Sequence, residues 1–261
     1  MSDATERFSA LVGREDANVP LDECCLLIAA HAHPDLDIAV PMARLDALAS
    51  SFPGGDGRAL ARYLFVERGF AGNTHDYADP RNSYLDDVLD RRLGIPITLS
   101  ALMIEVGRRV EIALTGVGMP GHFLVGSVDE LGTWFDPFHA GETLDEAGCE
   151  ERFRELFGAD AAWTPEHLAP IGTLAILRRA LANLERSLLR RKPPDAAWVL
   201  RLELRLPTVT PPERRRLAGL LGSLGHFGEG AAVLDEVATE LAGDDAGAVR
   251  RDAAALRART N

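Results

Sequence analysis

Gly94-Ile95-Pro96-Ile97-Thr98-Leu99-Ser100 opens an apolar run that reaches Val110. Beyond it come Gly116-Val117-Gly118-Met119-Pro120-Gly121-His122-Phe123-Leu124-Val125 and Trp134-Phe135-Asp136-Pro137-Phe138. Pro96 suits the first turn of a helix, where its missing N–H leaves nothing unpaired. Leu99, Ala101, Leu102, Met103, Ile104 and Val106 cover most faces of that helix, which marks residues 97–110 as the central buried one. Residues 112–117, 123–128 and 133–135 read as short strands, with Asp129-Glu130-Leu131-Gly132 as a hairpin turn. A helix start, a strand carrying His122 and a strand carrying Asp136 thus follow one another along the chain.

Upstream, helices are expected over 5–12 and 21–32, the second ended by Pro34. Another opens near Pro41 and stops at Pro53-Gly54-Gly55, and residues 58–66 are helical again. Residues 73–83 are polar and contain Asp79-Pro80, so they read as a loop. Ser83 is the expected N-cap of a helix that runs to Leu93 and ends at Gly94. Past Glu142 the pattern is helical throughout. One helix covers 145–157, and Leu174, Leu177, Leu181, Leu184 and Leu188 form an apolar stripe. Thr210-Pro211-Pro212-Glu213 is a capping box with proline at the first helical position, and Asp244 or Asp245 is the expected cap of the last helix. The stretch from Pro211 to Asp244 has the length of one tetratricopeptide-type unit, roughly 34 residues. The expected fold class is α+β. A helical region over 1–72 precedes a core over 73–165, with its central helix and small antiparallel sheet, and an all-helical repeat-like tail over 166–261.

Composition excludes several functions. A net charge of −12 and a pI near 5.1 oppose binding to nucleic acid and to anionic membranes. No apolar run approaches the roughly 18 residues that span a bilayer, and the first fifteen residues have no apolar segment of a signal peptide. Cys24, Cys25 and Cys149 are too few and too badly spaced for a disulfide framework or a zinc site, which points to a reducing cytoplasm.

Several motifs have plain explanations. His31-Ala32-His33 looks like a metal pair, but residues two apart on a helix point away from each other, and histidines at a helix C-terminus complement its dipole. Gly116-Val117-Gly118-Met119-Pro120-Gly121 matches a dinucleotide fingerprint literally. A strand-like segment follows instead of the required helix, so the glycines are expected to serve close approach to the central helix. Trp134 and Phe138 read as core, and Cys149 has no His nearby in sequence. His122, Asp136 and His139 are the informative set. As a turn histidine and a turn-starting Asp-Pro they need no function. As neighbours across a hairpin, Asp136 orients His122 and stabilises its charged form.

Tyr77, Asp79-Pro80, Asn82-Ser83, Val88-Leu89, Arg91-Arg92, Gly94-Ile95-Pro96-Ile97, Pro120-Gly121-His122-Phe123 and Asp136-Pro137-Phe138 together resemble bacterial transglutaminase-like proteins of papain-like fold. The branch is the one with a helical N-terminal region and a tetratricopeptide-like tail, some members of which were named as invasion-gene regulators. The resemblance covers about residues 21–156. In active members of the wider superfamily the nucleophilic Cys sits two residues after a Gly at a helix start. Gly94 matches that Gly, Pro96 falls at the Cys position, and the superfamily's His and Asp match His122 and Asp136. Glu111 stands where similar sequences tend to have Gly.

The resemblance implies a transglutaminase-like protein without its nucleophile: a cytoplasmic scaffold that binds a protein or peptide partner in a pocket at Pro96, Gly121, Trp134 and His139, with no cofactor. The alternative is a hydrolase or acyltransferase that uses His122 and Asp136 with a displaced hydroxyl, Thr98 or Ser100. Those two hydroxyls lie about 200° apart on a helical wheel. A metal held by His122, Asp136 and His139 ranks last.

Overall fold

The computed structural model describes residues 3–259. The chain forms two compact units that divide after Ala180. The first begins with helices α1 (Asp3–Val12), α2 (Leu21–Ala32), α3 (Ala39–Ser50) and α4 (Gly57–Arg62). Asp56 caps α4 by accepting the Ala59 N–H at 2.9 Å, and the helix widens into a π-turn over Tyr63–Glu67. Strand β1 (Ala71–Gly72) then pairs in parallel with β2 (Leu93–Gly94), and α5 (Leu85–Arg91) lies between them in sequence.

Here the local expectation is corrected. Tyr84, not Ser83, is the N-cap of α5, and it makes no side-chain cap bond. The helix ends at Arg91, where Arg92 turns left-handed with φ 58° and gives its N–H to the Val88 carbonyl at 2.8 Å. The early stop frees Leu93 and Gly94 to form β2.

Helix α6 (Pro96–Arg109) has Pro in its first turn, and Leu99, Leu102, Met103 and Val106 are fully buried. Its end reverses at Glu111, whose φ is 60°. That left-handed backbone is one that glycine adopts without the strain a side chain brings.

Strands β3 (Leu114–Val117), β4 (Leu124–Ser127), β5 (Trp134–Asp136), β6 (Glu142–Leu144) and β7 (Pro170–Ile171) make one antiparallel sheet in the order β6-β5-β4-β3-β7. The chain is therefore not wholly helical past Glu142. Strands of two and three residues leave no alternation to read. On one face, Val117, Leu124 and Leu144 pack with Met119, Leu168 and two residues of α7 (Glu146–Phe157), Cys149 and Phe153. Asp145 caps α7 through the Gly148 N–H at 2.9 Å. The glycines of 116–121 make room for other partners than the central helix. A Cβ on Gly116 would stand 2.8 Å from Ile176, and one on Gly118 2.7 Å from Arg179, both on α8 (Thr173–Arg191).

The second unit contains α9 (Ala197–Glu203), α10 (Pro211–Ser223), α11 (Phe227–Glu240) and α12 (Gly243–Ala258). The expected capping box opens α10: the Glu213 carboxylate accepts the Thr210 N–H at 2.9 Å and its hydroxyl at 2.8 Å. Ala218, Ala231, Leu234, Val237, Val249 and Ala253 bury the seam of the last three helices. Ala242 is the N-cap of α12, so Asp244 and Asp245 act from its first turn, where their charge suits the helix dipole. Among the described residues no helix is long and apolar enough to cross a membrane.

Candidate functional site

Two proline turns build the site. Met119-Pro120-Gly121-His122 closes with the His122 N–H donating to the Met119 carbonyl at 3.1 Å, and Gly121 has φ 71°. Proline at the second position and a left-handed glycine at the third are what a type II turn requires. Asp136-Pro137-Phe138-His139 closes the same way at 3.1 Å. The Asp136 Oδ1 atom also accepts the N–H groups of Phe138 and His139 at 3.1 and 3.2 Å. His122 is thus on the turn before β4, not on a strand. The register pairs Val125 with Phe135, so continuing it sets Leu124 opposite Asp136, and His122 reaches the carboxylate diagonally. The turn and the dyad coexist, and the turns are what aim the dyad.

Asp136 is fully buried, and its Oδ2 lies 2.8 Å from His122 Nε2 and 2.8 Å from His139 Nδ1. A carboxylate only accepts, so both rings donate from these nitrogens. In their neutral forms, His122 Nδ1 and His139 Nε2 then carry the lone pairs. Burial raises the Asp136 carboxyl, but the hydrogen bonds and charges of the two histidines outweigh it and hold the group well below the usual carboxylate range. Arg152 Nε of α7 stands 3.5 Å from the same oxygen and has no hydrogen-bond partner of its own.

Phe138 lines the site beside both histidines, with ring centroids 6.3 Å from His122 and 5.2 Å from His139. Its ring covers Gly72 so closely that a Cβ there would stand 2.5 Å from it. Gly72 pairs with Gly94, two residues before Pro96, so β1 ties the start of α6 to this aromatic wall. Tyr77, half exposed, meets Phe138 edge-on at 5.8 Å. The Tyr77 loop is held from beneath by fully buried Asn82, whose amide donates to the Asp76 and Tyr77 carbonyls at 2.8 and 3.2 Å.

The structure brings His122, Asp136 and His139 together, and Gly121 shapes their turn. Pro96 is buried in the first turn of α6. Trp134 packs with the cluster around Cys149 and Phe153, in the core role expected of it. Thr98 and Ser100 are both buried, and among the described residues neither hydroxyl bonds to His122. Among the described residues Ser100 Oγ has no hydrogen-bond partner. Cys149 is buried, and desolvation with the nearby Asp136 charge pushes its thiol up to about 12, which disfavours the reactive thiolate. His122, Asp136 and His139 could together offer ligand atoms to a metal. Both facing nitrogens already donate to one oxygen, however, and the Arg152 cation stands against it.

Sequence reading missed Arg152 and Arg179. Arg179 donates to the carbonyls of Gly118, Met119 and His122 at 2.5, 3.1 and 2.8 Å, and it stacks on Phe123 at 5.3 Å. It clamps the turn that carries His122. Nothing local announces either arginine, since each acts on residues far away in sequence.

A model of the transglutaminase-like superfamily matches residues 30–182. A UPF0162 protein of Xylella fastidiosa (strain 9a5c) is 40% identical over 190 residues, 68% of each chain. A UPF0162 protein of Vibrio cholerae is 32% identical over 136 residues, 51% of this chain and 50% of that one. F-box only protein 21 of Homo sapiens is 33% identical over 101 residues, 35% of this chain and 16% of that one. No solved structure matches. The intact His122–Asp136 pair, the buried helix that starts at Pro96 and these similarities agree that the chain belongs to the transglutaminase-like superfamily, together with the UPF0162 proteins.

Proposed function

We propose that this chain is a transglutaminase-like scaffold that binds a protein or peptide partner through the His122–Asp136–His139 site and makes no covalent intermediate with it. One observation carries the reading. The dyad is assembled, with Asp136 buried and ionised, yet none of the nucleophilic side chains weighed at the site is hydrogen-bonded to His122. Covalent acyl transfer needs a thiolate or hydroxyl within reach of the base. Here the position that supplies it in active relatives holds Pro96, and Cys149 keeps its proton.

What remains is a recognition surface. His122 Nδ1 and His139 Nε2 are the ring nitrogens not turned to Asp136, the His139 side chain is exposed, and the rings of Phe138 and Tyr77 are the aromatic faces proposed to receive an extended chain. In the second unit, α10 and α11 are taken as one tetratricopeptide-like repeat, a form that presents binding faces to peptide segments; the capping box that opens α10 supports that reading. The three buried cysteines fit a cytoplasmic protein that keeps its thiols reduced.

The test is a panel of amide, ester and glutaminyl peptides assayed for turnover, beside a displayed peptide library panned on the full chain. The expected result is no turnover above the His122→Ala background, and bound peptides whose affinity falls at least tenfold in His122→Ala. An acyl-enzyme adduct by intact mass, lost in His122→Ala, would overturn the reading.

A further inference from the structure

The structure separates the two histidines of His31-Ala32-His33. His31 bonds through Nδ1 to the Leu27 carbonyl at 2.8 Å and through Nε2 to the Thr5 hydroxyl at 2.9 Å. His33 caps the C-terminal end of α2 and meets the first turn of α5, where Asp86 and Asp87 lie. Its Nδ1 is 2.6 Å from Asp86 Oδ2, a short charge-assisted hydrogen bond. Since the carboxylate accepts, Nδ1 carries the proton, and in the neutral ring Nε2 carries the lone pair.

That lone pair faces Asp87 Oδ2 at 3.4 Å. The contact is long for a hydrogen bond, and Asp87 Oδ2 is a buried oxygen with no hydrogen-bond partner. Asp86 Oδ1 is buried and unpartnered as well. Arg81 and Arg91 make their ion pairs with Asp79. The geometry suits an ion. Two ligand atoms about 2.1 Å from a tetrahedral metal stand about 3.4 Å apart. A histidine whose other nitrogen donates to a carboxylate is also the usual arrangement around a bound metal. Tyr84 holds the ring edge-on at 5.3 Å, and the His33 side chain is 36% exposed, so an ion can arrive from solvent.

We infer that His33 Nε2 and Asp87 Oδ2 bind a divalent transition-metal ion of the zinc type, with Asp86 fixing the ligating tautomer of His33 and water completing the shell. The ion would link the end of α2 to the start of α5. Nothing in this inference depends on whether the His122 site binds a peptide.

The test uses the full chain stripped with a chelator, then titrated with Zn2+ by calorimetry and with Co2+ by visible absorbance. The expected result is one equivalent bound. Binding falls at least tenfold in His33→Gln and in Asp87→Asn, falls ten- to a hundredfold in Asp86→Asn, and is kept in His139→Gln. Circular dichroism of each metal-free variant checks folding, and if His33→Gln fails to fold, Asp87→Asn carries the comparison. Absence of stoichiometric binding would overturn the inference and leave His33 as a protonated partner of two aspartates. So would binding unchanged in Asp87→Asn, or binding lost only in His139→Gln.

Discussion

Asp136 and Glu105 are both carboxylates buried in the first unit, and they are treated in opposite ways. Asp136 receives four hydrogen bonds, two from imidazoles and two from backbone N–H groups, and stays ionised far below its ordinary range. Glu105 on α6 lies beside Asp22 of α2. Desolvation first, and then the Asp22 charge, push it up to about 7, although Arg108 and Arg109 contact it at 2.9 and 3.0 Å. The difference lies in donors per carboxylate, not in burial. At the helix interface two acids share two arginines, and Arg109 is divided among Asp22, Glu105 and Asp46. At the candidate site every donor converges on one acid. Donors concentrated in this way fix a charge and two ring tautomers, which a recognition site needs and a helix contact does not.

The largest effect is expected where that concentration is removed. Asp136→Ala takes the acceptor from His122 Nε2 and the Phe138 N–H, leaves the His139 N–H only the backbone carbonyl of residue 136, and should cost about 3 kcal/mol, read from the denaturant midpoint. Asp136→Asn keeps an acceptor for the backbone N–H groups and should cost less. Arg179→Ala is next, at about 2 kcal/mol, because three carbonyls of the His122 turn lose a charged donor. The third change has the opposite sign. Glu105→Gln should raise stability by about 1 kcal/mol at pH 8 and by nearly nothing at pH 5, where the native acid is already protonated.

The pH profile of the unaltered protein sharpens the same contrast. Glu105 has a folded pKa above its unfolded one, so the folded state holds the extra proton, and stability falls as pH rises from about 4.5 to 7. Asp136 has a folded pKa below its unfolded one. Its contribution is complete above about pH 4 and is lost as acid protonates it. The smallest effect is expected from His139→Gln, about 0.5 kcal/mol, since that side chain is half exposed and glutamine can still donate to Asp136. A loss as large as that of Asp136→Ala would show that His139, not Asp136, organises the site.

The parts of this fold that were legible in the sequence rest on strong local chemistry. Pro96 opens α6, Thr210 to Glu213 box the start of α10, and Asp136 meets His122 as the hairpin reading expects. What was not legible rests on contacts between distant residues. Strands β6 and β7 are too short to show a period, and their pairing comes from neighbours. Met119-Pro120-Gly121-His122 carries a full turn signature, yet sequence alone reads His122 as part of the following strand, which begins only at Leu124. Arg152 and Arg179 lie on helices whose polar faces look like any solvated face. His33 shows its partners only once α2 and α5 are packed.

The most direct measurement is the alkylation rate of Pro96→Cys by iodoacetamide across pH, with the unaltered chain and the double change Pro96→Cys, His122→Ala beside it. If the dyad is assembled and lacks only its nucleophile, the new thiol should react fast at about pH 6, where an ordinary cysteine is protonated, and the double change should abolish that advantage. The unaltered chain, with Cys149 and Cys24 both pushed up to about 12, should stay unmodified there. A Pro96→Cys thiol that reacts only above about pH 8, with or without His122, would contradict the proposal that Pro96 stands where a nucleophile would be served by the His122–Asp136 pair.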